Sequence, residues 1–136
     1  MSPLVRDAMN RKVFAVDPHT PLACVARLLE TLGAGALPVL DADGRPVAMV
    51  RWVDVVQSSR GCVADIMVPG AATVDGGADL GETAERMAQE GLRRLLVVED
   101  GRLVGMLAPM DCLRTLVDRD AKLARAAQPV RTASKG

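Results

Sequence analysis

Two aspartates, Asp54 and Asp111, each follow an apolar run and open a short amphipathic one, RWVDVV at 51–56 and APMDCL at 108–113. A carboxylate in the first turn of a helix lies at the positive end of the helix dipole, beside N–H groups that no helical carbonyl reaches. It can accept hydroxyl donors there, and the same helix end favours an anion such as phosphate. It can equally do no more than satisfy the backbone of its own turn. Three residues before each aspartate stand Arg51 and Ala108, where a helix start favours an oxygen-bearing side chain. Arg51 could fork onto a phosphate, pair with Asp54, or point to solvent. Ala108 forgoes a cap worth about 1 kcal/mol, and Pro109 softens that loss by fixing φ at the first helical position. Arg93 and Arg94, ahead of another apolar run, add two cations that could meet an anion or simply line a solvated strand edge.

Little else in the chain could do chemistry. His19 is the only histidine and lies in a DPHTP turn without a readable acid–base partner. Cys24, Cys62 and Cys112 are far apart, odd in number and outside any C-x-x-C, so neither a disulfide framework nor a metal site is expected. Met49, Met87 and Met106 fall at core spacings and read as packing. G-x-S-x-G, P-loop and H-E-x-x-H patterns are missing from the sequence, which argues against an enzyme and against a resident cofactor. The charges balance at 17 basic and 17 acidic residues, so no global field draws the chain to nucleic acid or anionic lipid. Residues from Arg119 onward carry a net +4 and the body −4, a pattern read as a solvated basic tail. Phe14 and Trp52 are the only aromatics, too few for base-stacking along a single strand. The opening MSPLVRDAMNRK has no apolar leader core, and no apolar run nears the roughly 20 residues of a membrane span. A reduced, cytoplasmic protein is the expectation.

The elements that must position these residues come in duplicate. Shifting the chain by 58 aligns VRDAM (5–9) with VADIM (63–67), Leu22 with Leu80, Gly33 with Gly91, and ALPVL (36–40) with RLLVV (94–98). After a one-residue shortening of the second turn, a shift of 57 pairs Gly44 with Gly101, Met49 with Met106 and Asp54 with Asp111. Such self-similarity marks an internal repeat. Each copy reads as a short strand (VFAV at 13–16, ATV at 72–74), a helix, two strands joined by DADG or EDG, and a final helix. In the first copy, Thr20 and Pro21 suit the helix start and Leu22, Val25, Leu29 and Leu32 form its stripe, with Gly33 ending it. In the second, Asp79 and Glu82 suit a capping box, Leu80, Ala84 and Met87 form the stripe, and Gly91 ends it. The organisation expected is repeat one over 4–60, repeat two over 61–118, and a basic tail over 119–136, helical and then flexible.

The twofold V-x-D-x-M, the LPV of the first copy, the RRLLVVEDGRLVG run of the second and the closing strand-then-Asp resemble a tandem pair of CBS domains over about residues 4 to 118. The resemblance implies an α+β fold of two β-α-β-β-α repeats packed through their sheets with pseudo-twofold symmetry. It also implies a cleft between the repeats for an adenosyl ligand such as AMP, ADP, ATP or S-adenosylmethionine, held as a regulatory ligand. In that family the third strand runs into G-h-x-[T/S]-x-x-D, whose carboxylate would accept the ribose hydroxyls. Here Asp54 and Asp111 keep the carboxylate, while Arg51 and Ala108 replace both hydroxyls. Arg93 and Arg94 resemble the family's phosphate-facing cations, which makes the second-copy site the better pocket. Its remaining walls would come from Ala15, Val16, Ala36, Leu37 and Pro38 on one side and Thr73, Val74 and Leu95 on the other, residues that could equally be core. The implied role is a stand-alone regulatory module, homodimeric through its helices, that signals to a partner protein. Trp52 would cover a base or pack at the dimer face. The alternative, which the two lost hydroxyls favour, is a ligandless interaction module.

Overall fold

A computed structural model describes residues 2–58 and 60–119 of the chain, so the tail read as helical and then flexible lies outside the described residues from position 120 on. The core of each repeat is a helix laid on a hairpin. In the first, α2 (Leu22–Leu32) covers β1 (Ala36–Leu40) and β2 (Pro46–Arg51), which pair antiparallel. In the second, α5 (Leu80–Glu90) covers β5 (Leu95–Glu99) and β6 (Arg102–Leu107), paired in the same way, and the register irregularity between Val39 and Leu40 recurs between Val97 and Val98. The leading strand of the second copy is β4 (Thr73–Asp75), parallel to β5. In the first copy VFAV contracts to one parallel bridge, Val16 to Val39. That bridge and the Val74–Val97 pair are the same contact moved by 58 residues.

The helices follow their apolar periodicity with three corrections. Leu22, Val25 and Leu29 are buried under α2, but Leu32 stays 36% exposed at its C-terminal end. Under α5 the buried trio is Leu80, Thr83 and Met87, the positions 58 on, and Ala84 only flanks it. Thr83 tolerates burial because its hydroxyl donates to the Asp79 carbonyl at 2.8 Å. Thr20 does not cap α2. Its hydroxyl instead accepts from the Asp17 N–H at 3.2 Å, while Pro21 holds an extended backbone at the helix start. Asp79 does cap α5, accepting from the Glu82 N–H at 2.9 Å. Gly33 and Gly91 both end their helices in the left-handed region, at φ 63° and 65°, a conformation that costs glycine no Cβ clash.

The V-x-D-x-M segments explain why one copy would not stand alone. They form α1 (Val5–Ala8) and α4 (Val63–Ile66), and each packs on the other repeat. Val5 and Met9 join the core of Leu80, Met87, Leu95, Val97 and Leu107. Val63 joins that of Leu22, Val25, Leu29, Val39 and Val50. The crossing is stitched by backbone bonds: the Val5 N–H donates to the Ala78 carbonyl and the Leu80 N–H to that of Pro3, both at 2.9 Å. The same stitching recurs at Leu22 to Gly61 and Val63 to Thr20. After each crossing the chain adds an edge to a sheet, β3 (Val68–Pro69) onto β2 and Asn10 onto Met106 of β6.

The open faces of the two sheets meet. Side chains alternate across a strand, so while Leu37, Val39, Leu95 and Val97 face the helices, Pro38 and Leu96 face away from them. Both are nevertheless buried and belong to neither helix-side core. Only the partner repeat can cover them. At the hairpin tips the Leu103 N–H donates to the Gly44 carbonyl at 3.0 Å. A Cβ placed on Gly44 would touch Arg102, and one on Gly101 would touch Arg45, the pseudo-twofold expressed at a single contact. The fold is α+β, two three-stranded sheets packed through their inner faces with helices outside.

Candidate functional site

The two aspartates start equivalent helices, α3 (Trp52–Val55) and α6 (Pro109–Arg119), and have opposite surroundings. At α3 the Arg51 Nε donates to Asp54 Oδ2 at 2.7 Å, and that hydrogen bond, then the carboxylate's charge, raise the guanidinium pKa further. Of the three fates open to Arg51, the pair with Asp54 is the one adopted. The carboxylate it would have offered to a ligand is taken. At α6 the residue equivalent to Arg51 is Ala108, which has no side chain to play that role. Asp111 Oδ2 accepts the N–H of Ala108 at 2.9 Å, the return arm of a capping box without its forward arm, and Oδ1 stands 3.7 Å from Arg114 Nη1. Behind Asp111 the thiol of Cys112 is buried, and burial, reinforced by the Asp111 charge, pushes its pKa up.

In front of Asp111 a cavity of about 290 Å³ opens between the repeats. Its polar wall is Asn10, Lys12, Arg94 and Asp111. Its apolar wall is Val13, Phe14, Leu32, Ala34, Ala36 and Leu37 from the first repeat, closed by Met106 and Ala108 from the second. Phe14, 46% exposed, and Leu32 are the two apolar side chains of this wall that the packing leaves most open. The Asn10–Phe14 segment reaches the cavity because Asn10 exchanges two backbone bonds with Met106, at 2.8 and 2.9 Å, on its way from α1 to Val16. An apolar slot bordered by a carboxylate and two cations suits a flat, weakly polar ring carrying hydroxyls and an anionic group.

The arrangement has relatives. The family model for the CBS domain matches twice, over residues 5–61 and 63–118. The chain belongs to the CBS-domain family. This CBS pair is 30% identical over 122 residues to hypoxic response protein 1 of Mycobacterium tuberculosis strain H37Rv, covering 82% of this chain and 83% of that one. A match to the homoserine O-acetyltransferase of Methanosphaerula palustris, 31% identical over 119 residues, takes in 85% of this chain but spans only 24% of the relative's length. Among solved structures, CBSX2 of Arabidopsis thaliana in complex with AMP superposes with a TM-score of 0.72 at 25% identity, covering 86% of this chain and 98% of that one. The cytosolic domain of the Mg2+ channel MgtE in complex with ATP gives 0.68 at 31% identity, over 79% of this chain and 46% of that one. Among the described residues no helix is long and apolar enough to cross a membrane, and no group of three or more His, Cys, Asp or Glu side chains could hold a metal ion.

Of the residues expected from sequence, this CBS pair brings Asp111, Arg94, Ala108 and Leu37 to the cavity, with Ala36 beside them. The others lie elsewhere. Arg93 is exposed and does not line it. Val16 and Leu95 are buried in the two helix-side cores, and Val74 packs against the second. Pro38 is buried between the sheets, and the carbonyl of Thr73 accepts from Arg86 Nη1 at 2.9 Å. Arg51 and Asp54 are held by each other. The cause is the strand register: the bridging residues Val16 and Val74 point into the cores, and the chain just before the bridge, 12–14, faces the cleft. Asn10, Lys12, Val13 and Phe14 were not expected as site residues. Their one signal is the V-x-D-x-M just upstream, which fixes the crossing that carries them there.

Proposed function

We propose that this CBS pair is a regulatory module that binds an adenosyl ligand in the Asp111 cleft and signals to a partner protein. The observation that carries the reading is the apolar inter-repeat cavity bordered by Asp111, Lys12 and Arg94. In this reading the purine lies between Phe14 and the small residues Ala34 and Ala36, Asp111 accepts ribose hydroxyls, and the cations meet the group beyond the ribose. The AMP and ATP found with the relatives above support the ligand class. The first-copy position is closed by the Arg51–Asp54 pair, so one ligand binds per chain. A second copy packs on the exposed apolar residues that recur 57 apart, Val53 on α3 and Val56 just after it, and Met110 and Leu113 on α6. A monomer mass by light scattering at micromolar concentration would remove that dimer.

The test is a thermal-shift and calorimetric titration with AMP, ADP, ATP and S-adenosylmethionine, run on the wild type, Asp54→Ala and Asp111→Ala. A ligand at 100 times its Kd stabilises by about 2.7 kcal/mol, a shift of several degrees. The expected result is one site per chain, lost in Asp111→Ala and kept in Asp54→Ala. A shift kept in Asp111→Ala and lost in Asp54→Ala would move the site to the first copy. No shift with any compound would leave the second reading, a ligandless interaction module, which the loss of both cap hydroxyls favours.

A further inference from the structure

We propose that a notch on the first repeat, between His19 and Asp41, receives the guanidinium of an arginine side chain presented by a partner protein. The second repeat has the same notch filled from within. There Arg6 of α1 donates its backbone N–H to the Gly76 carbonyl at 2.9 Å and lays its guanidinium on Glu99, Nε to Oε2 at 3.2 Å. Its Nη2 lies 3.4 Å from where a Cβ on Gly77 would stand. The repeat shift of 58 residues replaces Arg6, Gly76, Gly77 and Glu99 by Ala64, Pro18, His19 and Asp41. The backbone bonding is kept. The Ala64 N–H donates to the Pro18 carbonyl at 2.8 Å, and Asp17 Oδ1 accepts from the His19 N–H at 2.7 Å as Asp75 Oδ1 does from Gly77 at 2.8 Å. The guanidinium has no counterpart, because alanine stands at position 64. A cavity of about 410 Å³ opens here instead, lined by Asp17, Pro18, His19, Leu40, Asp41 and Ala42. Among the described residues no cation pairs with Asp17 or Asp41, and the side chain of Arg45, the cation of this turn, reaches the Gly101 turn of the other hairpin. Pro18, Leu40 and Ala42 suit the methylenes of an arginine stem, and the carboxylates suit its planar fork better than an ammonium. Among the described lining residues no cation stands ready for the carboxylate of free arginine, which points to a side chain within a protein. With Asp17 and His19 exposed, the pair is weak and screened by salt, so a single arginine binds in the millimolar range.

The experiment follows amide NMR shifts of the full chain at low salt during titration with Nα-acetyl-arginine amide, Nα-acetyl-lysine amide and free arginine. The variants are Ala64→Arg, Arg6→Ala and Asp41→Asn, the last keeping an Oδ1 for the hairpin N–H groups of Asp43 and Arg45. Melting curves report that each variant folds. The expected result is saturable shifts at His19, Asp41 and Ala42 with the capped arginine, several-fold weaker binding of the capped lysine, and free arginine no tighter than the capped form. Binding falls several-fold in Asp41→Asn and is lost in Ala64→Arg, whose own arginine fills the notch as Arg6 fills its twin. Arg6→Ala vacates that twin and gains a second set of shifts, at Gly77 and Glu99. No saturable shift in wild type, shifts unchanged in Ala64→Arg, or lysine binding as tightly as arginine would overturn the site. Free arginine binding more tightly than the capped form would overturn the assignment to a protein side chain. Each of these results is independent of what the Asp111 cleft binds.

Discussion

Replacing Ala108 with serine should stabilise the protein, and the structure says by how much and through which atoms. The start of α6 is half built. Asp111 Oδ2 bonds back to the Ala108 N–H at 2.9 Å, Pro109 has no N–H to satisfy, and the Asp111 N–H turns to the Ala108 carbonyl at 3.0 Å. A hydroxyl at position 108 would accept from the first turn's N–H groups and complete the reciprocal pair. Serine in place of alanine at this position is worth about 1 kcal/mol, which for a unit of this size is about 4 °C in Tm. Scanning calorimetry of ligand-free protein reads it directly. The gain depends on Asp111 keeping the helix start in place, so Ala108→Ser introduced into an Asp111→Ala background should return clearly less than the single change. A Tm within 1 °C of wild type would refute the reasoning, because it would mean that proline and carboxylate already satisfy this helix end. Equal gains in both backgrounds would refute the coupling.

Two further perturbations probe the crossing and the buried thiol. Gly105→Ala would place a Cβ 3.1 Å from the Asn10 carbonyl oxygen and 3.0 Å from Met9 Cγ. Overpacking of this kind costs about 1–3 kcal/mol, so a Tm drop of several degrees with faster amide exchange at Asn10 and Met106 is expected, and an unchanged Tm would dismiss the close approach. Cys112 sets a pH dependence: with its folded pKa raised, an unfolded thiol that ionises near about pH 8.5 loses its proton while the buried one keeps it. The unfolded state then binds fewer protons, so this contribution is present below the unfolded pKa and stability falls as pH rises above it. Urea melts at pH 7.5 and 10 should show a steeper loss for wild type than for Cys112→Ala, and equal losses would count against the burial argument.

The duplication made the fold legible, because turn glycines and strand valines repeat at constant spacing and each repeat's local grammar is complete. What the spacing cannot express is which copy a segment packs on. VRDAM reads as the start of the first repeat, yet Val5 is buried in the core of the second. The difference between the expected walls and the residues that line the cavity follows from that. Walls were drawn from Val16, Pro38, Val74 and Leu95, the most apolar strand residues, and apolarity in a short strand marks the core before it marks a pocket. That Lys12 and Phe14 line the same cavity was not legible, because their place depends on a crossing made by backbone bonds. That Asp111 and Arg94 line the cavity was legible because a carboxylate at a helix start and a cation at a strand entrance carry their geometry locally.

The departures at positions 51 and 108 give the module a direction. Two equal copies with two equal clefts would answer a ligand symmetrically. Here Arg51 holds Asp54, while the open cleft is walled by the segment from Asn10 to Phe14. That segment is tied at one end to β6 through the Asn10–Met106 bonds and at the other to β1 through Val16. Upstream of the first tie Val5 is buried in the second core, and Val16 at the other tie is itself buried in the first. A ligand can shift the packing of the repeats only if it prefers one arrangement of them. Of the described elements that line the cleft, this strap is the one fastened to both cores, so under the proposed function a ligand that gripped Lys12 and Phe14 would act on the relation between the repeats and not on either repeat alone.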